Sequence, residues 1–193
     1  MKLTAMAAMT ILGMNAWAGQ EAQTGTRVAV CLVDHGQTAV RFQATARAAK
    51  MYSAIGVMLD WQSTSRACQA AGVIHIELTD STPANLMPGA LAYALPYEGI
   101  HIRVFYDRLQ HTVPESALPF LLAHVLVHEI GHILQGVARH SPTGVMKAHW
   151  TPADYRVMEM SHLPFTDDDL TYIQDGLQAR NARLLAANVV ASR

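Results

Sequence analysis

Residues 114–136 read PESALPFLLAHVLVHEIGHILQG, and no other stretch restricts the fold of this chain so tightly. Leu118, Leu121, Leu122, Val125, Leu126 and Ile133 surround the segment with apolar side chains instead of lining one stripe of it. A helix that is apolar all round is stable only when other elements cover every side. The rest of the chain therefore has to wrap it. Ser116 is the expected N-cap, Pro119 falls in the first turn, where proline is tolerated, and Gly136 is placed to end the helix.

Into this apolar helix the sequence sets His124, His128, Glu129 and His132. Two buried imidazoles and a carboxylate are costly unless something satisfies them, and one metal ion satisfies all three. HEIGH (128–132) has the pattern H-E-x-x-H. Residues four apart on a helix share a face, so His128 and His132 can present imidazoles to a single cation. Glu129, one step round, can reach a water on that cation without being a ligand. Zinc lowers the pKa of bound water to about 7, and Glu129 can take its proton and pass it to a leaving amine. The plainer reading is a buried helix whose histidines hydrogen-bond their neighbours. His124 lies on the same face, but a His124–His128 pair would put Val125 where the base must stand, so His124 is read as a supporting or core residue.

Catalytic zinc sites usually take three protein ligands and leave one position for water. Gly136 lets the helix stop and the chain turn back, His140 follows four residues later, and Met146 comes just after Gly144. His128, Glu129, His132, Gly136, His140 and Met146, in that order, resemble the metzincins, whose motif is H-E-x-x-H-x-x-G-x-x-H followed by a Met-turn. The steps from 132 to 136 and from 136 to 140 are four each, where that pattern has three and three. The connection is thus two residues longer, an insertion a loop absorbs at little cost. The resemblance implies zinc held by His128, His132 and His140, Glu129 as the catalytic base, and Met146 supporting the ligands from below. His149 and Glu159 compete with His140 as third ligand.

Further likeness surrounds the motif. GALAYALPYEG (89–99) is similar to the matrix-metalloproteinase edge strand, G-x-L-A-H-A-x-x-P-G. This implies that Leu91, Ala92, Tyr93 and Ala94 pair with an extended substrate backbone, adding a strand to an open edge. An ordinary edge strand explains the segment equally simply. LPFTDDDLTYIQDGL (163–177) resembles the C-terminal helix of those enzymes, although an amphipathic helix with a Thr166–Asp169 capping box accounts for most of that match. Asp167, Asp168 and Asp169 are charges favoured at a helix start. His149 and Trp150 form either the floor of a substrate pocket or ordinary packing. No calcium-loop signature and no propeptide with a cysteine poised against zinc is visible.

The remaining chain supplies the wrapping. RVAVCLVD (27–34), VMLDW (57–61), GVIHIELTD (72–80) and IHIRVFYD (100–107) read as strands, and ALAYAL, between prolines, as a short edge strand. QTAVRFQATARAAKMYSAIG (37–56) and 165–185 read as helices. The order predicts an α+β fold with one core. The resemblance implies a zincin fold: a small mixed sheet with an edge strand over the cleft, a buried active-site helix and a C-terminal helix.

A net charge of −1 gives no pull toward nucleic acid or an acidic membrane surface. Lys2, the apolar run that follows and Ala16-Trp17-Ala18 have the layout of a secretory signal, so 1–18 are expected to be cleaved, leaving 19–193 as a single catalytic domain. No other stretch is expected to span a bilayer. Export permits a Cys31–Cys68 disulfide, but Cys31 in VAVCLV fits equally well as a buried free thiol. The expected protein is a secreted or periplasmic zinc endopeptidase, monomeric, acting on peptide or protein substrates. Two alternatives stay open: a zincin-fold module that binds zinc without catalysis, and an exported protein whose core helix holds no metal.

Overall fold

The computed structural model describes residues 25–33, 36 and 38–191, so the expected signal segment lies outside the described residues. In chain order the elements are β1 (Thr26–Val33), α1 (Thr38–Ser53), β2 (Val57–Gln62), a short α2 (Ser65–Cys68), β3 (Ile74–Thr79), β4 (Ala92–Ala94), β5 (His101–Phe105), α3 (Tyr106–Thr112), a 3₁₀ turn (Glu115–Ala117), α4 (Leu118–Gln135), α5 (Pro152–Met160) and α6 (Asp167–Ala191). The strands form one sheet in the order β2-β1-β3-β5-β4. β1, β2, β3 and β5 run parallel, and β4 alone is antiparallel, at the edge beside β5.

The helix read as apolar all round is the centre of the molecule. Every residue of α4 except Phe120 is buried. Fully burying an aliphatic side chain contributes about 1.5–3 kcal/mol, so α4 is the largest single source of apolar burial here. By length and composition it is also apolar enough to cross a membrane, although no stretch beyond the N-terminal signal was expected to be. Its almost complete burial accounts for that composition as a core helix. α1 lies along one side of α4 through Ala44, Ala48, Met51 and Tyr52, and Tyr52 Oη donates to the Val127 carbonyl at 2.9 Å. α6 crosses α4 at Gly176, where an added β-carbon would come within 1.8 Å of the Leu134 carbonyl oxygen. Arg180 secures the middle of α6, donating from Nη1 to Gly99 O at 2.6 Å and from Nη2 to Gly72 O.

Three local expectations are corrected. Ser116 is no N-cap: it sits within the 3₁₀ turn, and Ala117 occupies the cap position without a side-chain hydrogen bond. The strand read as 100–107 stops at Phe105, and Tyr106 opens α3. Strands and helices also interleave through β3, closer to a mixed α/β order than to segregated α+β, because parallel neighbours need a crossover between them. Cys31 and Cys68 are joined, Cα to Cα 5.5 Å, tying β1 to α2.

Candidate metal centre

α4 places His128 and His132 one turn apart, and their Nε2 atoms stand 3.0 Å from each other. The helix ends at Gly136, whose φ of 70° is left-handed and whose N–H donates to His132 O at 3.0 Å. That conformation is cheap for glycine and reverses the chain. The returning segment brings His140 against the pair, its ring centroid 4.8 Å from that of His132 and 5.2 Å from that of His128. The three histidines each offer a ring nitrogen within 4.8 Å of the others. The two-residue-longer connection therefore still delivers His140. Glu159, exposed on α5, and His149, on the cleft rim, are outside this cluster.

The donor set suits a cation for a reason internal to it. His128 Nδ1 lies 2.8 Å from the Val145 carbonyl and His132 Nδ1 lies 3.3 Å from the Val137 carbonyl. A carbonyl only accepts, so both Nδ1 atoms carry the proton. Burial, then the neighbouring His132, pulls His128 down to about 3. Burial, then His140, pulls His132 down to about 4. Both rings are thus neutral near pH 7, and their bare Nε2 lone pairs face one another with no proton to share. A cation held between them and His140 relieves that opposition. Backbone carbonyls orienting ligand imidazoles in this way are the usual support of a histidine metal site.

Glu129 is buried in the wall of the same cleft, and burial pushes its carboxyl from 4.5 up to about 8. Met146 packs against α4 at Gly131, which lies between His128 and His132 in sequence. It is fully buried, and a β-carbon added at Gly131 would meet its Sδ at 2.6 Å. The cleft above measures about 540 Å³, and Met146 does not line it. Leu91, Ala92, Tyr93 and Ala94 do. Their backbones divide. Leu91 O accepts from Phe105 N at 2.9 Å and Leu95 N donates to His101 O at 3.0 Å, so Leu91, Tyr93 and Leu95 turn toward β5. By the alternation of an antiparallel ladder, Ala92 and Ala94 present N–H and C=O to the open edge. His124 is a supporting residue: its Nδ1 donates to Phe120 O at 2.8 Å and its Nε2 accepts from Leu163 N at 3.2 Å. Trp150 stands edge-on to His128, ring centroids 5.5 Å apart, and lines the cleft with His149.

The sequence reading missed the Val137 and Val145 carbonyls, Tyr155 in the cleft wall, and the rim formed by Met87, Pro88, Gly89 and Ala90. Backbone groups carry no sequence signal. The rim had one hint, its dense prolines and glycines. Arg108 holds it in place, donating to the carbonyls of Leu86, Met87 and Ala90 at 2.5–2.7 Å.

The fold is a mixed sheet over a buried helix, with three histidines gathered at that helix. The solved structure of archaemetzincin from Methanopyrus kandleri has this fold: it is similar with a TM-score of 0.55 at 17% identity, over 80% of this chain and 97% of that one. Myroilysin overlaps more loosely, with a TM-score of 0.36 at 14% identity, over 57% of this chain and 48% of that one. The sequence matches no protein-family profile and no curated protein. The likeness is thus to a zincin-like fold and not to matrix metalloproteinases in particular.

Proposed function

We propose that this chain is a zinc-dependent endopeptidase. The observation that carries the reading is the convergence of three histidine ring nitrogens and a buried carboxyl on one open cleft. His128, His132 and His140 would hold the metal. Zinc bound there supplies Lewis acidity, polarising a carbonyl oxygen and making water easier to deprotonate. The chain's own residues do the rest. Ala92 and Ala94 receive an extended peptide as an added strand and lay it along α4, with the Leu91 and Tyr93 side chains forming the wall. Glu129 takes a proton from the attacking water. The same carboxyl then returns that proton to the leaving amine. Met146 supports the ligands and does not touch substrate.

The matrix-metalloproteinase-like edge strand is part of this proposal, as are export to the periplasm or medium, action on peptides or proteins, and a monomeric state. The Cys31–Cys68 bond supports export, because disulfides persist in oxidising compartments. A module that bound zinc without catalysis would have no use for an unliganded carboxyl in the cleft.

Two measurements test the reading. Elemental analysis of purified protein should find one zinc per chain. Glu129→Gln should keep that zinc while abolishing cleavage of an unstructured protein such as casein. A metal-free protein, or undiminished cleavage by Glu129→Gln, contradicts the proposal.

A further inference from the structure

The residues on either side of His140 are both fastened to one carboxylate. Asp169 Oδ1 accepts from Ser141 Oγ at 2.6 Å and from Arg139 Nη1 at 2.8 Å. Its other oxygen, Oδ2, accepts from Thr166 N at 2.9 Å and Thr166 Oγ1 at 2.8 Å, so the carboxylate is itself held at the first turn of α6. Asp169 is fully buried. Arg139 is gripped a second time by the same helix, its guanidinium carbon 4.5 Å above the Tyr172 ring. Ser141 is fixed a second time too, its N–H donating to Met146 O at 2.8 Å. His140 itself is exposed, and among the described residues no hydrogen bond orients its ring from behind as the Val145 and Val137 carbonyls orient His128 and His132.

A helix cap needs only Oδ2. Nothing in capping chemistry calls for the second oxygen to take a charge-assisted bond and a hydroxyl from a loop some thirty positions away in sequence. We infer that Asp169 is a positioning residue for the third metal ligand: by clamping Arg139 and Ser141 it aims His140 at the nitrogens of His128 and His132. The clamp also explains how a connection two residues longer than the metzincin spacing delivers its histidine. The added loop length gives up conformational freedom that the two bonds to Asp169 remove. The inference rests on the zinc reading above.

The test measures zinc affinity by competition with a chromophoric chelator, together with the visible spectrum of the cobalt-substituted protein and the melting temperature of the metal-free protein. Asp169→Asn should bind zinc about 10–100-fold more weakly, the usual effect of losing a group that orients a ligand. Its cobalt spectrum should lose intensity as the four-coordinate histidine site opens to water. In a His140→Ala background the same substitution should cost no further affinity, because the ligand it aims is gone. Unchanged zinc affinity and spectrum in Asp169→Asn overturns the inference while leaving the zinc reading intact. An equal loss in the His140→Ala background also overturns it, since the effect would then be general to the fold. Wild-type protein that binds no zinc removes both. If Asp169→Asn does not fold, the double variant Arg139→Ala/Ser141→Ala keeps Asp169 and its cap, and carries the same three expectations.

Discussion

At the scale of single residues, the site is a set of groups whose protonation burial has decided. His124 shows the consequence outside the ligand set. Burial lowers it from 6.5 to about 4, and its Nε2 accepts a backbone N–H that a protonated ring would oppose. A base depressed in the folded state contributes stability that is whole above 6.5 and is lost as pH falls toward 4. His128 and His132, depressed by the same burial, add to that loss in the metal-free protein. Three carboxyls follow at lower pH. Burial raises Asp107, Asp154 and Asp169, but hydrogen bonds from Thr82, Lys147 and Ser141 outweigh it and hold each below 3.8. Their contribution is present above 3.8 and disappears beneath it. Metal-free protein should therefore melt at progressively lower temperature from pH 6.5 to 4, the three depressed histidines outweighing the single opposing effect of Glu129, whose carboxyl burial raises, and then lower again beneath 3.8. A melting temperature constant from 6.5 to 4 contradicts the histidine part. His128, Glu129 and His132 were legible in sequence because helical spacing alone puts them together. The tautomers of the two rings were not, because they depend on carbonyls contributed by the chain after the helix.

At the scale of elements, the decisive contact is the crossing of α4 and α6. The close approach of Gly176 to the Leu134 carbonyl leaves no room for any side chain. Gly176→Ala replaces glycine with a better helix former, so propensity alone would make it stabilising. Instead it should destabilise the protein by about 3 kcal/mol, the upper end of the usual overpacking range, as read from urea denaturation. A stability equal to or above wild type contradicts this packing. The glycine had no special signal in DLTYIQDGLQAR, where nothing in the spacing marks it as a crossing point. Main elements were recovered well where periodicity was long: α1, β1, β2, β3 and the core of α4 lie close to their expected bounds. The misses are short or terminal. α2 has four residues and α3 seven, too few for a period to show, and Tyr106 looked like the next position of β5. α5 begins with a Thr151–Asp154 capping box and a proline, a readable start that the Gly- and Pro-rich surroundings obscured.

At the scale of the whole molecule, the Cys31–Cys68 bond closes a loop of 37 positions across β1, α1, β2 and α2. A cross-link of that span contributes up to about 4 kcal/mol through the unfolded chain. Cys31→Ala/Cys68→Ala should lose stability of that order. Neither cysteine lines the cleft, so its zinc affinity should stay at the wild-type value. A large loss of zinc affinity would mean that the N-terminal half of the sheet shapes the site more directly than its contacts show.

What the sequence determined by itself is what depends on neighbours within a turn or two: a helix that must be buried, two imidazoles and a carboxyl on it, a glycine that stops it, an edge strand flanked by prolines. Tertiary structure decided everything that joins distant stretches. His140 rather than His149 or Glu159 completes the cluster. Ala92 and Ala94, rather than all four candidate residues, face the open edge. Cys31 is bonded and not free. Asp169 reads as a helix cap in sequence and becomes a clamp only when α6 folds back over the ligand loop. The reason is the same in each case. Periodicity records which residues share a face, while the direction in which a loop returns is set by packing between elements that no local pattern encodes.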